Sequence, residues 1–230
     1  MKTVGVLGGM GPAATVDFFA RVVRLTPAAT EQNHLHLIID NDPSVPDRNL
    51  GVAGTGPSPG PALAAMAQRL ERAGADFLVM PCNTAHAFAE HIVAATRLPF
   101  INMIDETLRV VAGTSPGAAG LLATDGCLAA GLYNAGLAAM GRETVVLAPT
   151  EQQRFMALLY RIKAGDTGPE MRSAMSELAV TLIRSGARSV IAACTEVPLT
   201  LEPGALDVPL IVSTDVLATR TVERAIRTGE

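Results

Sequence analysis

Two short apolar runs in the sequence each end in a cysteine followed by polar residues. The first reads "VMPCNTAH" at 79–86, and the second reads "VIAACTEV" at 190–197. Such a run predicts a buried strand, so each cysteine is expected at the carboxyl end of a strand, where a helix begins. Backbone N–H groups at a helix start favour negative charge and lower the pKa of a neighbouring thiol. Cys82 and Cys194 are therefore candidates for acid–base chemistry.

The residues that follow the cysteines indicate which chemistry this is. Thr84 and Thr195 are helix-capping types, and a helix start can also hold a substrate carboxylate. A nucleophile–base pair would place a histidine opposite a cysteine, and only His86 lies within either motif. Two equivalent thiols instead suit proton removal from one face of a carbon and proton return on the other, which inverts a stereocentre. The expected substrate is small, chiral and anionic, with Arg48 as a bidentate carboxylate partner.

The elements that must position these residues can be predicted from short apolar runs. The runs lack clean alternation, which is typical of strands buried on both faces of a parallel sheet. Segments with helical periodicity lie between them, and this order predicts an α/β fold with mostly parallel sheets. The strands are expected at 3–8, 35–40, 76–81, 99–103, 118–124, 143–148, 188–193 and 208–213.

An internal repeat relates the two halves of the chain. The run "VGVLG" at 4–8 matches "AGLLA" at 119–123 with an offset of 115, and "FLVMPCNT" at 77–84 matches "SVIAACTE" at 189–196 with an offset of 112. The conserved order of the runs predicts two similar domains related by a pseudo-twofold axis. Ligands of open α/β sheets bind at the carboxyl ends of strands, so the active site is expected in the cleft between the domains.

The repeat also sets the expected domain boundaries. The first domain, which carries Cys82, is expected to comprise residues 1–98 plus 210–230. The second domain, which carries Cys194, is expected to comprise residues 99–209.

The longest irregular segment is residues 41–61, which contain five prolines and no periodicity. A long loop without secondary structure in a compact domain is usually functional or a linker, and the repeat continues across this one. We therefore predict a lid that carries Asp47 and Arg48. The offset of the first strand places Lys163 at the position equivalent to Arg48, although Lys163 is also explained as an ordinary cation at the end of a helix.

Composition excludes several classes of partner. The 230-residue chain has a formal net charge of −4, which argues against nucleic acid and anionic membrane surfaces. It shows neither a signal-peptide pattern nor an apolar run long enough for a bilayer, so a cytoplasmic protein is expected. Cys82, Cys127 and Cys194 are widely spaced, which argues against disulfides, and the absence of a CxxC pair or histidine cluster argues against a metal site.

These motifs resemble those of the pyridoxal-phosphate-independent aspartate/glutamate racemases, and most closely the aspartate racemase branch. Glutamate racemases carry a histidine after Cys-Thr, where this chain has Glu196. The resemblance runs nearly end to end and rests on "GGMGPAAT" (8–15), "VPDR" (45–48), "MPCNTAH" (80–86), "LLATDG" (121–126), "IKAG" (162–165) and "CTEVPL" (194–199).

The resemblance implies a cofactor-free, usually dimeric enzyme with two α/β domains around a central cleft. Its substrate would be a small anionic amino acid, either aspartate or glutamate. Cys82 and Cys194 would be the two catalytic bases, on opposite faces of Cα. The other implied site residues are Asp47 and Glu196, which would assist the thiols, and Met10, Arg48, Asn83, Thr84, Thr124, Lys163 and Thr195, which would bind substrate.

Some residues depart from the family pattern and leave the preferred amino acid open. Cys127 stands where threonine is common, and we interpret it as a substitute that lines the cleft or caps a helix. Asn49 also stands where threonine is frequent.

Three other functions fit parts of the sequence. Residues 9–14 match the G-x-G-x-x-A pattern of dinucleotide-binding oxidoreductases. However, Pro12 removes a backbone donor there, and Asp40 lies later than the usual spacing of about 20 residues. A non-catalytic amino-acid sensor fits the two-lobed fold. An isomerase of the maleate isomerase type, with one nucleophilic cysteine, fits less well because of the "GGMGP" opening.

Overall fold

The fold contains two parallel sheets, as seen in a computed structural model that describes residues 1–114 and 116–227. All eight expected strands are present. They are β1 (Val4–Gly8), β2 (Leu37–Asn41), β3 (Phe77–Val79), β4 (Phe100–Ile101), β5 (Ala119–Ala123), β6 (Thr144–Val145), β7 (Ser189–Ala193) and β8 (Leu210–Val212). The α-helices are α1 (Pro12–Leu25), α2 (Arg48–Ala53), α3 (Gly60–Arg72), α4 (Ala89–Ala95), α5 (Met103–Ala112), α6 (Asp125–Ala129), α7 (Asn134–Ala139), α8 (Pro149–Lys163), α9 (Pro169–Arg184) and α10 (Ser213–Ile226).

The two sheets have the same topology. Their strand orders are β2-β1-β3-β4 and β6-β5-β7-β8, and every paired strand is parallel. The cysteine-bearing strands β3 and β7 therefore occupy equivalent places, each beside the first strand of its own half. This confirms the predicted α/β class with two similar domains. Among residues 1–114 and 116–227, no helix combines the length and apolar character that crossing a bilayer requires.

The edge strands correct the expected domain boundaries. Val79 pairs with Ile101, so β4 belongs to the first sheet, and Ala192 pairs with Val212, so β8 belongs to the second. The boundaries at 98/99 and 209/210 each fall one strand too early, because each half ends with a strand that hydrogen-bonds to the cysteine-bearing strand. Helix α10 then returns to the first domain, where Leu217 packs in its core.

The segment 41–61 is not the structureless loop that its prolines predicted. It contains α2, whose N-cap is Asp47, and the Asp47 carboxylate accepts N–H groups from Asn49 at 2.8 Å and Leu50 at 3.0 Å. Six residues are too few to show helical periodicity, which is why the sequence pattern missed this helix. Arg48 is therefore fixed at the first position of a capped helix.

Two glycines show how closely the halves repeat each other. A methyl group added to Gly5 in β1 would lie 2.6 Å from Leu78 and 2.9 Å from Ala75. A methyl group added to the equivalent Gly120 in β5 would lie 3.0 Å from Leu182 and 3.1 Å from Ala187. Neighbouring side chains therefore pack so closely against β1 and β5 that only glycine fits at Gly5 and Gly120.

Replacing Gly5 by alanine tests this packing. The added methyl group overpacks the first core, so we expect Gly5→Ala to lower the free energy of unfolding by about 2 kcal/mol. Gly120→Ala should cost less, because its contacts are longer. Urea denaturation measures both, with Gly113→Ala as the control, since a methyl group there meets nothing closer than 3.5 Å. A larger loss for Gly120→Ala than for Gly5→Ala would contradict this account.

Candidate active site

A cavity between the two domains lies where the chain leaves β3 and β7. Its volume is about 10 Å³, close to the room needed for one water molecule, so an amino acid enters only if the walls move apart. It is lined by Met10, Arg48, Asn49, Cys82, Asn83, Thr84, Thr124, Lys163, Cys194, Thr195 and Glu196. Every expected site residue except Asp47 is in this set, and Asn49 is an addition.

The two cysteines have matching backbone surroundings. Both are buried, and a backbone N–H from the turn that follows lowers the thiol pKa at each position, from Ala85 for Cys82 and from Glu196 for Cys194. These turns are short 3-10 helices at Thr84–Phe88 and Val197–Leu199. Each cysteine therefore lies between a strand and a 3-10 helix, which continues directly into α4 after Cys82 and has only three residues after Cys194.

The two threonines do not cap these turns, which corrects the expectation from their residue type. The Thr84 and Thr124 hydroxyl groups hydrogen-bond to each other at 2.7 Å, and the Thr195 hydroxyl donates to Glu196 at 3.4 Å. Thr124 is a true cap, because its hydroxyl accepts the N–H of Cys127 at the start of α6.

The expected lowering of the thiol pKa is wrong for the cavity as it stands. Burial raises the pKa of Cys82, although the charge of Arg48 and the Ala85 N–H oppose this rise. Burial and the adjacent Glu196 carboxylate raise the pKa of Cys194 well above its ordinary value. Loss of hydration outweighs the effect of the backbone N–H groups at both positions, so both thiols favour their protonated form.

Two cations enter the cavity from opposite domains. Arg48 comes from the start of α2, and its guanidinium donates to the carbonyl groups of Val45 at 3.2 Å and Pro46 at 3.1 Å. Lys163 is the last residue of α8, as its sequence also suggested, yet it lines the cavity. Burial is the largest single effect and disfavours the charged form of Lys163, but Glu196, Cys194 and Cys82 together outweigh it and raise the pKa of the ammonium group.

Glu196 lies directly against the second thiol. Its Oε2 accepts a hydrogen bond from the Cys194 thiol at 3.0 Å, and the residue is 2% exposed. The expected assisting role of Glu196 stays a prediction, for which this contact supplies the proximity. Asp47 instead caps α2, and its expected assistance to Cys82 stays a prediction.

A chain of buried hydrogen bonds holds the cysteine-bearing turns together. The Tyr133 hydroxyl donates to Asn83 Oδ1 at 2.6 Å, and Asn83 Nδ2 donates to Ser213 Oγ at 3.0 Å. Ser213 Oγ donates in turn to the carbonyl of Ala192 in β7 at 2.7 Å. Both polar atoms of the Asn83 amide therefore have hydrogen-bond partners within the protein. This series of hydrogen bonds ends at Ala192, two residues before Cys194.

Asn49 makes a second link between the domains. Its Oδ1 accepts the Gly126 N–H of α6 at 2.9 Å, so α2 is fastened to the other half. In the sequence, Asn49 stands out only as a departure from the family pattern, and its position next to Arg48 was the one available signal for this role.

His86 fixes the backbone at Cys82 through hydrogen bonds to main-chain groups. The Met103 N–H donates to Nε2 at 3.0 Å, so Nδ1 carries the proton and donates to the Cys82 carbonyl at 2.8 Å. Burial lowers the pKa of His86 to about 4, so the ring is neutral near pH 7. Both ring nitrogens hydrogen-bond to backbone groups. His86 therefore stabilises the turn that follows Cys82 and is not a base opposite this thiol.

Cys127 is a buried thiol next to the site. Burial, with a smaller effect of nearby Cys82, raises its pKa to about 12, so it stays protonated. In the described part of the chain, no group of three or more His, Cys, Asp or Glu side chains is placed to hold a metal ion.

Comparisons with known proteins agree on one family. A family model described as Asp/Glu/Hydantoin racemase matches residues 7–221. A structure titled Picrophilus torridus aspartate racemase superposes with a TM-score of 0.89 and 30% identity, over 100% of this chain and 96% of that one. Bacillus subtilis RacX, a broad specificity amino-acid racemase, is 28% identical over 95% of this chain and 96% of its own length.

A more distant structure shares the fold. The Francisella tularensis glutamate racemase in complex with D-glutamate has a TM-score of 0.70 and 17% identity, over 97% of this chain and 80% of that one.

Because His86 is buried with a lowered pKa, we expect the free energy of unfolding to depend on pH. Its pKa is about 4 in the folded protein, compared with an ordinary value of 6.5. As the pH falls, His86 is therefore protonated in the unfolded chain at a higher pH than in the folded protein. The free energy of unfolding should therefore decrease below pH 6.5, by about 2 kcal/mol at pH 5 from this residue alone. Urea denaturation at pH 7 and pH 5 should show a smaller decrease for His86→Gln. The exposed His36 supplies the control, and His36→Gln should keep the wild-type decrease.

Proposed function

The chain belongs to the Asp/Glu/Hydantoin racemase family, and we propose that it is a cofactor-independent amino-acid racemase that prefers aspartate. The main support is that Cys82 and Cys194, from equivalent turns of the two domains, line one cavity with Arg48 and Lys163. Two thiols that share a cavity with carboxylate-binding cations suit proton transfer at the carbon next to a carboxylate.

The proposed reaction is a two-base proton exchange. The thiolate of one cysteine takes the proton from Cα and becomes a thiol, while the electron pair of the broken C–H bond stays on the substrate. The thiol of the other cysteine then gives its proton to the opposite face of Cα and becomes a thiolate. No atom is gained or lost overall, the stereocentre is inverted, and Cys82 and Cys194 exchange roles for the reverse reaction.

The raised thiol pKa values constrain this mechanism. One thiol must lose its proton before it acts as a base, and burial opposes that loss at both positions. Once formed, a poorly hydrated thiolate is a strong base, and Arg48 and Lys163 offset its charge. Because the cavity holds about 10 Å³, we infer that the Asn49–Gly126 hydrogen bond breaks for substrate entry, so that α2 moves outward and then returns with Arg48.

The charges around the cavity favour a dicarboxylic amino acid. Two cations and one carboxylate line it, from Arg48, Lys163 and Glu196. Aspartate carries the complementary set of two carboxylates and one ammonium group. Hydrogen bonds between carboxylates and buried cations are among the strongest in proteins, so a neutral amino acid would leave one cation unpaired.

Broad amino-acid specificity is the second candidate. It is favoured by the similarity to RacX, which extends over nearly the whole of both chains. Glutamate, one methylene longer than aspartate, is a further substrate to test within the same proposal.

A homodimer located in the cytoplasm completes the proposal. Three apolar side chains one helical turn apart on α1 are partly exposed, with Val16 at 68%, Phe19 at 42% and Val23 at 41%. Such a stripe is typical of a surface that another chain covers, and sedimentation velocity would measure the mass of the species in solution.

The first test is proton NMR of L-aspartate and D-aspartate in D₂O without added cofactor. We expect loss of the Cα–H signal and growth of the opposite enantiomer. Cys82→Ser and Cys194→Ser should each lower racemisation by about 100-fold or more, because each removes one acid–base group. Cys127→Ser is the matched control and should stay active, since Cys127 lies outside the cavity lining. Full racemisation by either of the first two variants would rule out the two-base mechanism.

Substrate preference gives a second test. Lys163→Ala and Arg48→Ala should each lower kcat/KM for aspartate by about 10-fold or more, because a charged hydrogen bond to a carboxylate is lost. Alanine has one carboxylate fewer, so at least one of the two variants should lose less activity with alanine than with aspartate. Parallel losses with both substrates in both variants would favour broad specificity. The exposed Arg154, which pairs with Glu177, provides a control in Arg154→Ala.

A further inference from the structure

One oxygen of Glu196 lacks a hydrogen-bond donor. Oε2 accepts from the Cys194 thiol and more weakly from the Thr195 hydroxyl. Within residues 1–114 and 116–227, no protein group donates to Oε1, although this atom is buried. Burying a carboxylate oxygen without a donor is costly, and this cost is explained if a ligand supplies the donor.

The unpaired oxygen lies at the boundary between the domains. A methyl group added to Gly11, which belongs to the first domain, would lie 3.4 Å from Glu196 Oε1. The neighbouring residue Met10, which lines the same cavity, is apolar. Oε1 therefore extends from the turn after β7 toward Gly11 in the opposite domain, which has no side chain that could donate a hydrogen bond.

The negative charge of Glu196 favours a cationic group of the ligand as the hydrogen-bond donor to Oε1. Glu196 is the one anionic side chain among the residues that line the cavity, whereas Arg48 and Lys163 carry positive charge. A ligand that brings carboxylates to the cations also needs a cationic donor to match Oε1. The α-ammonium group of an amino acid is such a donor.

We propose that Glu196 Oε1 accepts a hydrogen bond from the α-ammonium group of the substrate. This inference rests on the proposed function and extends it, because Glu196 then binds substrate with one oxygen and the Cys194 thiol with the other. A neighbouring carboxylate keeps an ammonium group protonated. A positive charge beside Cα stabilises the negative charge that proton removal leaves there.

The test compares two ligands that differ at the ammonium group. DL-aspartate and succinate have the same two carboxylates and the same chain length, but succinate lacks the amino group. Isothermal titration calorimetry with the racemic mixture avoids a change of composition through turnover. Wild-type protein should bind aspartate more tightly than succinate. Glu196→Gln should weaken aspartate binding by about 10-fold or more, as for loss of a hydrogen bond to a charged group, and change succinate binding by less than about twofold.

Two further variants separate ammonium binding from other roles of Glu196. Cys194→Ala removes the thiol contact but should keep the preference for aspartate. Glu202→Gln, at an exposed carboxylate near Arg172, should behave as wild type. Far-UV circular dichroism and thermal unfolding check that each variant is folded.

The outcomes distinguish this inference from the proposed function. Equal weakening of both ligands in Glu196→Gln would overturn the inference, even if the protein racemises aspartate. Wild-type protein that binds succinate as tightly as aspartate, or binds neither, would overturn it without any variant. An amino-group preference that depends on Glu196 without Cα–H exchange would support the inference and contradict the racemase proposal.

Discussion

The contact between the two domains is the constraint on which the site depends. Each half holds one cysteine, and neither half alone forms the cavity. The hydroxyl groups of Thr84 and Thr124 join the halves at 2.7 Å, and the amide of Asn83 is bonded to Tyr133 and Ser213. Buried hydrogen bonds are costly to leave unmade. They therefore fix the cysteine-bearing turns against each other more firmly than apolar packing alone would.

That contact also sets the electrostatics of the site. Packing of the two domains against each other buries both thiols, which raises their pKa values, and Arg48 and Lys163 line the same cavity from opposite domains. The same low-polarity surroundings strengthen each charge–charge interaction. In the proposed reaction, a substrate carboxylate would meet cations that are already oriented, and this preorganisation would be the main advantage of a buried cavity for proton removal.

The backbone is nearly symmetric, but the side chains are not. Gly5 and Gly120 have the same packing role, and an offset of 112 relates Cys82 to Cys194 and Thr84 to Glu196. At the last pair of positions, one turn carries a hydroxyl that bonds to the other domain, and the other turn carries a carboxylate against its own thiol. The repeated fold thus supplies two similar turns, and substitution at one position gives the two thiols different surroundings.

The sequence determined the strands, the parallel sheets, the repeat and nearly all residues of the cavity. These depend on local hydrophobicity and on motifs such as "PCNTAH" and "CTEVPL", which are readable without coordinates. Tertiary structure alone decided the sheet to which each edge strand belongs, because this depends on hydrogen bonds between distant segments. It also decided that Asp47 caps α2, that His86 is neutral, and that the thiols have raised pKa values. Each of these depends on burial and on partners far away in the chain, which no local pattern records.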